Sequence, residues 1–291
     1  MDATARGKVR PMMLIRSFAI MIWGWVRIVR ALISIGVPAL FAPLKLFQLS
    51  WFGGILKVKS NSELFDVSIR AKSSDLHVVA QTFPTYFPKT HIDLIRKIYL
   101  EILANGKQPV ILDAGAYIGI TSILFYSNFP NAQVFAIEPS PANYETLESN
   151  TRQISGIERV KGALGPVDGV FHLVDPKMGE WGYRTEYVQD IEASFQLKIF
   201  CVGDVISDGA SQSPFICKLD IEGAERHLTE MDWDHILEYK VVVIEPHDWM
   251  MPTMHTSFGF MQAHANSKFK RDLIIVGENL WSIAIEDNQN R

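Results

Sequence analysis

The sequence is short of the features that define several large protein classes. It holds 2 cysteines in 291 residues, Cys201 and Cys217. A disulfide framework is therefore excluded, their spacing fits no metal motif, and a reducing compartment is favoured. Acids are almost missing from the N-terminal segment 1–60, where Asp2 stands alone against nine Lys and Arg. That segment carries +8 and the rest of the chain carries -12. An acidic body makes a poor general nucleic-acid binder, because neutralising phosphates needs a basic face. Long apolar runs are missing too. Uncharged stretches near the N-terminus (Ser17–Val26, Ala31–Leu44, Leu46–Leu56) all fall short of the roughly 18 residues needed to span a membrane. There is no internal repeat and no low-complexity tract. What remains is ordinary globular material, 48% hydrophobic and 21% charged, which excludes a disordered chain.

The basic segment is a region of its own. From Met12 to Leu56, hydrophobic side chains outnumber all others by about two to one. On a helix, Arg16, Arg27, Arg30 and Ser34 share a stripe roughly 60° wide, while Phe18, Ile22, Trp25, Val29 and Leu32 cover much of the rest. That pattern suits a helix lying in a membrane interface with its arginines reaching headgroups. Packing of the same face on the body or on a second subunit is the competing reading, and spanning ranks below both. Arg6, Lys8 and Arg10 precede an apolar run as in a cleaved leader, but Arg16 interrupts it and no small-residue cleavage site follows. Pro38 and Pro43 are expected to end the helical pattern, and Gly53-Gly54 to mark a turn before the body.

Along the body, alternation predicts a strand at 65–70, and helical spacing of Ile92, Ile95, Ile98, Tyr99 and Ile102 predicts a helix over 91–104. Short β-branched runs then alternate with helices: strands at 110–113, 134–138 and 157–163, helices at 118–127 and 141–150. This is the signature of a parallel sheet. Further strands are expected at 169–174, 197–202, 215–220, 240–245, 272–276 and 281–286, and helices at 222–231 and 258–266. The implied organisation is a basic helical extension over 1–60, a lead-in strand and helix over 61–106, and an α/β domain over 107–291. The fold class is Rossmann-like and doubly wound, with a mostly parallel seven-stranded sheet.

The most informative stretch is Val110-Ile-Leu-Asp-Ala-Gly-Ala-Tyr-Ile-Gly-Ile-Thr-Ser-Ile123. An apolar strand ends in an acid and a glycine turn and enters a helix, the place where open α/β sheets bind ligands. Gly115 and Gly119 permit close backbone approach, and the helix N-terminus offers free N–H groups. A dinucleotide fingerprint would read G-x-G-x-x-G; here the middle glycine is missing and Asp113 precedes the turn. An acid suits an ammonium group, and S-adenosylmethionine carries one. Glu138 ends the second strand, one strand–helix–strand unit after Asp113, where a carboxylate can accept hydrogen bonds from ribose hydroxyls. Ser140-Pro141 reads as a helix N-cap and first turn.

On these residues the chain resembles the class I S-adenosylmethionine-dependent methyltransferases, and specifically the FkbM family. The family's glycine motif is similar to Asp113-Ala-Gly-Ala-Tyr-Ile-Gly-Ile-Thr-Ser122, its K-x-D-x-E-G-x-E string to Lys218–Glu225, and its lead-in to Arg70–Asp75 followed by Tyr86. The resemblance covers about 70–286. Tyr117 departs from it, standing where the family more often has a small polar residue. The resemblance implies S-adenosyl-L-methionine as cofactor, with Asp113, Gly115, Ala116, Tyr117 and Gly119 at its methionine end, Glu138 and Pro139 at the ribose, Gly162 and Ala163 near the adenine, and Asp220 in contact with cofactor or acceptor. It further implies a hydroxyl acceptor on a sugar, glycan, glycolipid or natural product.

A hydroxyl acceptor needs a base or a metal to take its proton. The candidates at the strand ends are His247, Asp220 and Glu222, with His247 the first choice of base because it is the one histidine expected at a strand end facing the cleft. Orientation of the loop by His247, without proton transfer, is an open alternative. Glu222 and Glu225 are expected in the first turn of a helix, where its dipole favours acids. No metal site is assigned: Asp220, Glu222 and His247 are ligand types, but convergence cannot be read from spacing. The 175–187 loop, with Gly179, Trp181, Gly182 and Tyr183, suits either a cover for the acceptor or a homodimer contact. Methylation of nitrogen on a small molecule or protein, and a non-catalytic cofactor-binding scaffold at a membrane, share every motif. The expected setting is cytoplasmic, with peripheral membrane contact through 12–56 and no nucleic-acid partner.

Overall fold

The computed structural model describes residues 25–35, 37–83, 86–165, 171–174, 184–187, 199–205 and 211–285. Helix α1 covers 25–34 and is followed by α2 (Ala42–Phe52) and a hairpin of β1 (Gly54–Ser60) and β2 (Glu63–Ile69). Then come α3 (Asp75–Thr82), α4 (Ile92–Ala104), β3 (Gln108–Ala114), α5 (Ile120–Asn128), β4 (Gln133–Glu138), α6 (Pro141–Thr151) and β5 (Ile157–Lys161). Short pieces β6 (Ala163–Leu164), β7 (Phe171–Val174), β8 (Arg184–Tyr187), β9 (Ile199–Phe200) and α7 (Val202–Val205) precede β10 (Gln212–Leu219). The chain continues through α8 (Glu230–Ile236), β11 (Val241–Ile244), α9 (Phe258–Ala265), β12 (Lys270–Val276) and β13 (Asn279–Ile285).

The main sheet has seven strands in the order β12-β13-β11-β10-β3-β4-β5. The five from β11 to β5 are parallel, and β13 and β12 add antiparallel at one edge. This is the doubly wound, Rossmann-like class read from the alternation. Strand order reverses at β3, with β4 on one side and β10 on the other, so a crevice opens at their carboxyl ends. β3 and β11 are apolar and buried throughout their central residues, as strands covered on both faces require.

Three structural features mark the N-terminal segment. Pro43 does not end a helix but opens one: it occupies the first turn of α2, where its missing N–H has no partner to lose. The boundary at residue 60 falls within a hairpin, because Gly54–Ser60 pairs along its whole length with Glu63–Ile69. Leu56, Val58 and Ser60 alternate inward, a period of two that the preceding apolar run obscures. Finally, the segment is two-faced. Leu32, Ile35, Ala42, Leu46 and Leu49 join the main core, while other apolar side chains of the same helices stay in solvent. No helix among the described residues is long and apolar enough to cross a membrane.

Candidate active site

A cavity of about 400 Å³ lies at the carboxyl ends of β3, β4 and β10, within the usual range for small-molecule sites. Of the residues singled out in the sequence, Gly115, Ala116, Tyr117, Glu138, Pro139, Gly162, Ala163, Asp220 and Glu222 line it. Asp113, Gly119 and His247 do not.

Asp113 is fully buried on β3. Its Oδ2 accepts from Ser122 Oγ at 2.6 Å and its Oδ1 faces Lys218 Nζ at 3.3 Å. Lys218 also reaches Asp220 Oδ2 at 3.2 Å and donates to the Gly115 carbonyl at 3.2 Å. Burial pushes the Asp113 carboxyl up, against the pull of Lys218 and Ser122. For Lys218 burial works downward, but Asp220 and Asp113 outweigh it and hold the ammonium above its ordinary value. Asp113 therefore fastens the glycine turn to β10 from beneath. Gly119 caps α5, and a side chain there would crowd Leu147 and Thr151 of α6. Its place is in packing between the two helices.

The turn itself is held by a closed ring of polar contacts. Glu138 Oε2 accepts the Tyr117 N–H at 2.9 Å, and Oε1 accepts from Ser140 N at 2.9 Å and Asn143 Nδ2 at 3.3 Å. The Tyr117 hydroxyl donates to Asp75 Oδ1 at 2.7 Å. Asp75 in turn holds Arg70 at both oxygens, and Arg70 Nη1 donates to Asn143 Oδ1 at 2.9 Å. The Arg70 guanidinium also lies 5.2 Å from the centre of the Tyr117 ring. Tyr117, at φ 53°, thus does what a small polar residue cannot: it ties the lead-in segment to the glycine turn. Arg70, Asp75 and Asn143 were missed as site residues. Arg70 and Asp75 stand in the lead-in motif, but nothing in their spacing points to Tyr117, far along the chain. Burial pushes Glu138 up to about 7, with the Ser140, Tyr117 and Asn143 donors opposing it.

The helix expected over 222–231 is replaced by a 3-10 turn, Ala224–His227, and a separate α8. Glu222 and Gly223 have φ of 56° and 88°, and two left-handed residues cannot begin a right-handed helix. Thr229 and Asp232 instead form a capping box that starts α8 at Glu230. The left-handed turn brings Glu222 back beside Asp220 rather than onto a helix face. Opposite them, on the segment after β11, sits His247, only 1% exposed. Its Nε2 is 3.5 Å from Glu222 Oε2 and 3.8 Å from Asp220 Oδ1, and its Nδ1 is 3.2 Å from Glu225 Oε1. Burial alone would lower the imidazole, but Glu225, Glu222 and Asp220 carry it up to about 10. Burial, with Asp220 adding to it, pushes Glu222 up to about 9; Asp220, then burial, pushes Glu245 up to about 8. Asp220 and Glu222 line the cavity and His247 sits behind them, so the groups facing the cavity are the two acids rather than the histidine.

Residues 175–183 of the aromatic loop lie outside the described residues, and its last four, Arg184–Tyr187, form β8, paired with β7 rather than looped. Exposed Trp249 lies on the cavity wall.

The chain is 27% identical over 157 residues to Methyltransferase 1 of Beauveria bassiana (strain ARSEF 2860), which covers 43% of this chain and 61% of that protein. It is 34% identical over 68 residues to Methyltransferase sdnD of Sordaria araneosa, covering 22% of this chain and 26% of that protein. The chain thus spans less than two thirds of the length of either relative. Among solved structures, a putative caffeoyl-CoA O-methyltransferase from Staphylococcus aureus aligns with a TM-score of 0.41 at 10% identity, over 74% of this chain and 93% of that one. No protein-family model matches the chain.

Proposed function

We propose that this protein is an S-adenosylmethionine-dependent methyltransferase of the FkbM kind, acting on a hydroxyl of a sugar, glycan, glycolipid or natural product. The observation that carries the reading is the cavity at the switch point of the sheet, walled by the Gly115–Tyr117 turn, by Glu138 and by Asp220. Two relatives named as methyltransferases support it. The residues fit the cofactor. The first turn of α5 has no side-chain cap, and Ile120 and Thr121 at its start line the cavity, so N–H groups are available to a carboxylate. Glu138 is pinned by three donors yet keeps acceptor capacity toward the cavity, since a carboxylate offers about four lone-pair sites.

When bound, S-adenosylmethionine supplies a methyl group on a sulfonium, so transfer needs alignment more than activation. The chain's own residues then position the acceptor hydroxyl: Asp220 takes its proton, and Glu222 hydrogen-bonds beside it. His247 acts through them, its buried ring fixing the positions of both side chains.

Calorimetry with S-adenosylmethionine on the full chain is expected to show binding that Glu138→Ala weakens by about 10- to 100-fold, the worth of charge-assisted hydrogen bonds. Labelled methyl transfer to extracts split into lipid, glycan and protein fractions then reads the acceptor. Absence of binding by the intact protein overturns the proposal. Binding without transfer favours a scaffold, and label on amines alone favours N-methylation.

The same protein is placed by its N-terminal segment against an anionic membrane surface. Leu44 (67% exposed), Phe47 and Trp51 form an apolar ridge along α2 at i, i+3, i+7 spacing, and Leu40 (84%), Phe52 (76%), Trp25 on α1 and Ile55 on β1 are exposed as well. Between residues 25 and 62 there are cations and no acid, so the ridge complements anionic headgroups. Replacing Leu44, Phe47 and Trp51 with serine leaves the buried face of α2 intact. The triple variant is expected to lose sedimentation with phosphatidylserine-containing vesicles, while the parent binds them better than pure phosphatidylcholine. A parent that ignores both vesicles and dimerises through the ridge overturns this placement.

A further inference from the structure

We infer that Asp220, Glu222 and His247 form a binding site for a divalent cation of the Mn²⁺ or Mg²⁺ class at the acceptor end of the cavity. One ligand atom from each lies within 4.8 Å of the others. A cation with bonds of about 2.2 Å sets neighbouring donors about 3 Å apart and opposite donors about 4.4 Å apart, so only small side-chain movements complete the set. The three donor atoms lie close to one another. Lys218 takes Asp220 Oδ2, which leaves Oδ1 turned toward His247. Glu222 Oε2 is buried and has no hydrogen-bond partner. His247 is 1% exposed, and its Nε2 faces the Glu222 and Asp220 side chains at 3.5 and 3.8 Å.

The outer contacts favour the same assignment. Glu225, equally buried, sits 3.2 Å from His247 Nδ1 and is itself held by the Ile221 N–H. A carboxylate at this distance, once it takes the Nδ1–H, fixes the tautomer and presents the other nitrogen's lone pair to a metal, the arrangement found behind most metal-bound histidines. The set of two carboxylate oxygens and one imidazole suits Mn²⁺ well and Mg²⁺ adequately. Asp220 and Glu222 line the cavity, so the remaining coordination positions face the space where an acceptor hydroxyl would sit. Such a cation lowers the pKa of a bound hydroxyl and fixes its direction of approach. That use of the cation rests on the methyl-transfer reading; its binding does not.

The test is titration of the full-length protein with Mn²⁺ alone, followed by the loss of the free-ion signal in electron paramagnetic resonance, with no cofactor present. One saturable site per chain is expected. Glu222→Gln and Asp220→Asn should each weaken it at least about 10-fold, and Glu225→Gln, which changes no ligand, about 10-fold or more. Circular dichroism checks the fold of each variant. Should Asp220→Asn fail to fold, Glu222→Gln decides, because it keeps the side chain's shape and neutralises a carboxylate whose Oε2 makes no hydrogen bond. Absence of saturable binding overturns the site, as does binding untouched by Glu222→Gln and Glu225→Gln. Calorimetry with S-adenosylmethionine on the same metal-free sample reports separately on the methyl-transfer reading.

Discussion

Gly115→Ala is expected to abolish S-adenosylmethionine binding and to destabilise the fold by more than about 4 kcal/mol, the range reserved for substitutions that force backbone apart. Gly115 has φ of 78°, and a Cβ there would overlap the Asp220 carbonyl oxygen. Neither group can yield. Asp220 N donates to the Ala114 carbonyl at 3.1 Å and Gly115 N to the Ile137 carbonyl at 3.0 Å, so the turn is stitched to β10 and β4 together. Gly106→Ala is the matched control: its φ is 71° with nothing within 4 Å of an added Cβ. There only the left-handed conformation is penalised, about 1 to 2 kcal/mol, and binding should persist. Urea unfolding and calorimetry on both variants check the pair. Equal behaviour would mean that the close approach to Asp220 has no consequence.

Lys218→Met should be nearly as damaging, by about 3 to 5 kcal/mol, because it strips a fully buried carboxylate of its counter-charge. Asp113 would keep one hydroxyl donor, Ser122. The deficit has a pH signature. The Asp113 carboxyl is already raised by burial and rises further without Lys218, so its folded pKa lies above the unfolded one. A group of that kind penalises folding as pH rises through the folded value and spares it when protonated. The loss should therefore shrink toward acid pH. Adding Asp113→Asn should recover much of it at neutral pH, since no buried charge is then left unpaired. Denaturant curves on the single and double variants across pH decide this. A deficit that ignores both pH and Asp113→Asn would show that Lys218 acts by packing alone.

The legible part of this protein was whatever rests on local chemistry. Alternating β-branched runs and helices gave the parallel sheet, because period and length are set within each element. The glycine turn and Glu138 were readable because a strand end, a turn and a helix N-terminus follow one another in the chain. Errors arose where a local signal had two outcomes. Pro43 was read as a stop, although proline in a helix's first turn is a start. Glu222–Met231 was read as one helix because its acids suit a helix dipole, but two left-handed residues and a capping box at Thr229 split it. The ring joining Arg70 and Asp75 to Tyr117 was invisible, since it is closed by side chains that meet only after α3 packs beside α5.

The sequence by itself determined a basic apolar segment of +8 on an acidic body of -12, the fold class, and the turn where the cavity opens. Whether that segment packs or faces outward was decided by tertiary structure: its helices bury one apolar side in the core and leave the other uncovered, which composition cannot apportion. Tertiary structure likewise placed Asp113 beneath the site instead of in it, and His247 behind two carboxylates instead of before them. The physical reason is common to all three. Burial and charge pairing depend on which strands become neighbours, and β10 meets both β3 and β11 only once the sheet has assembled.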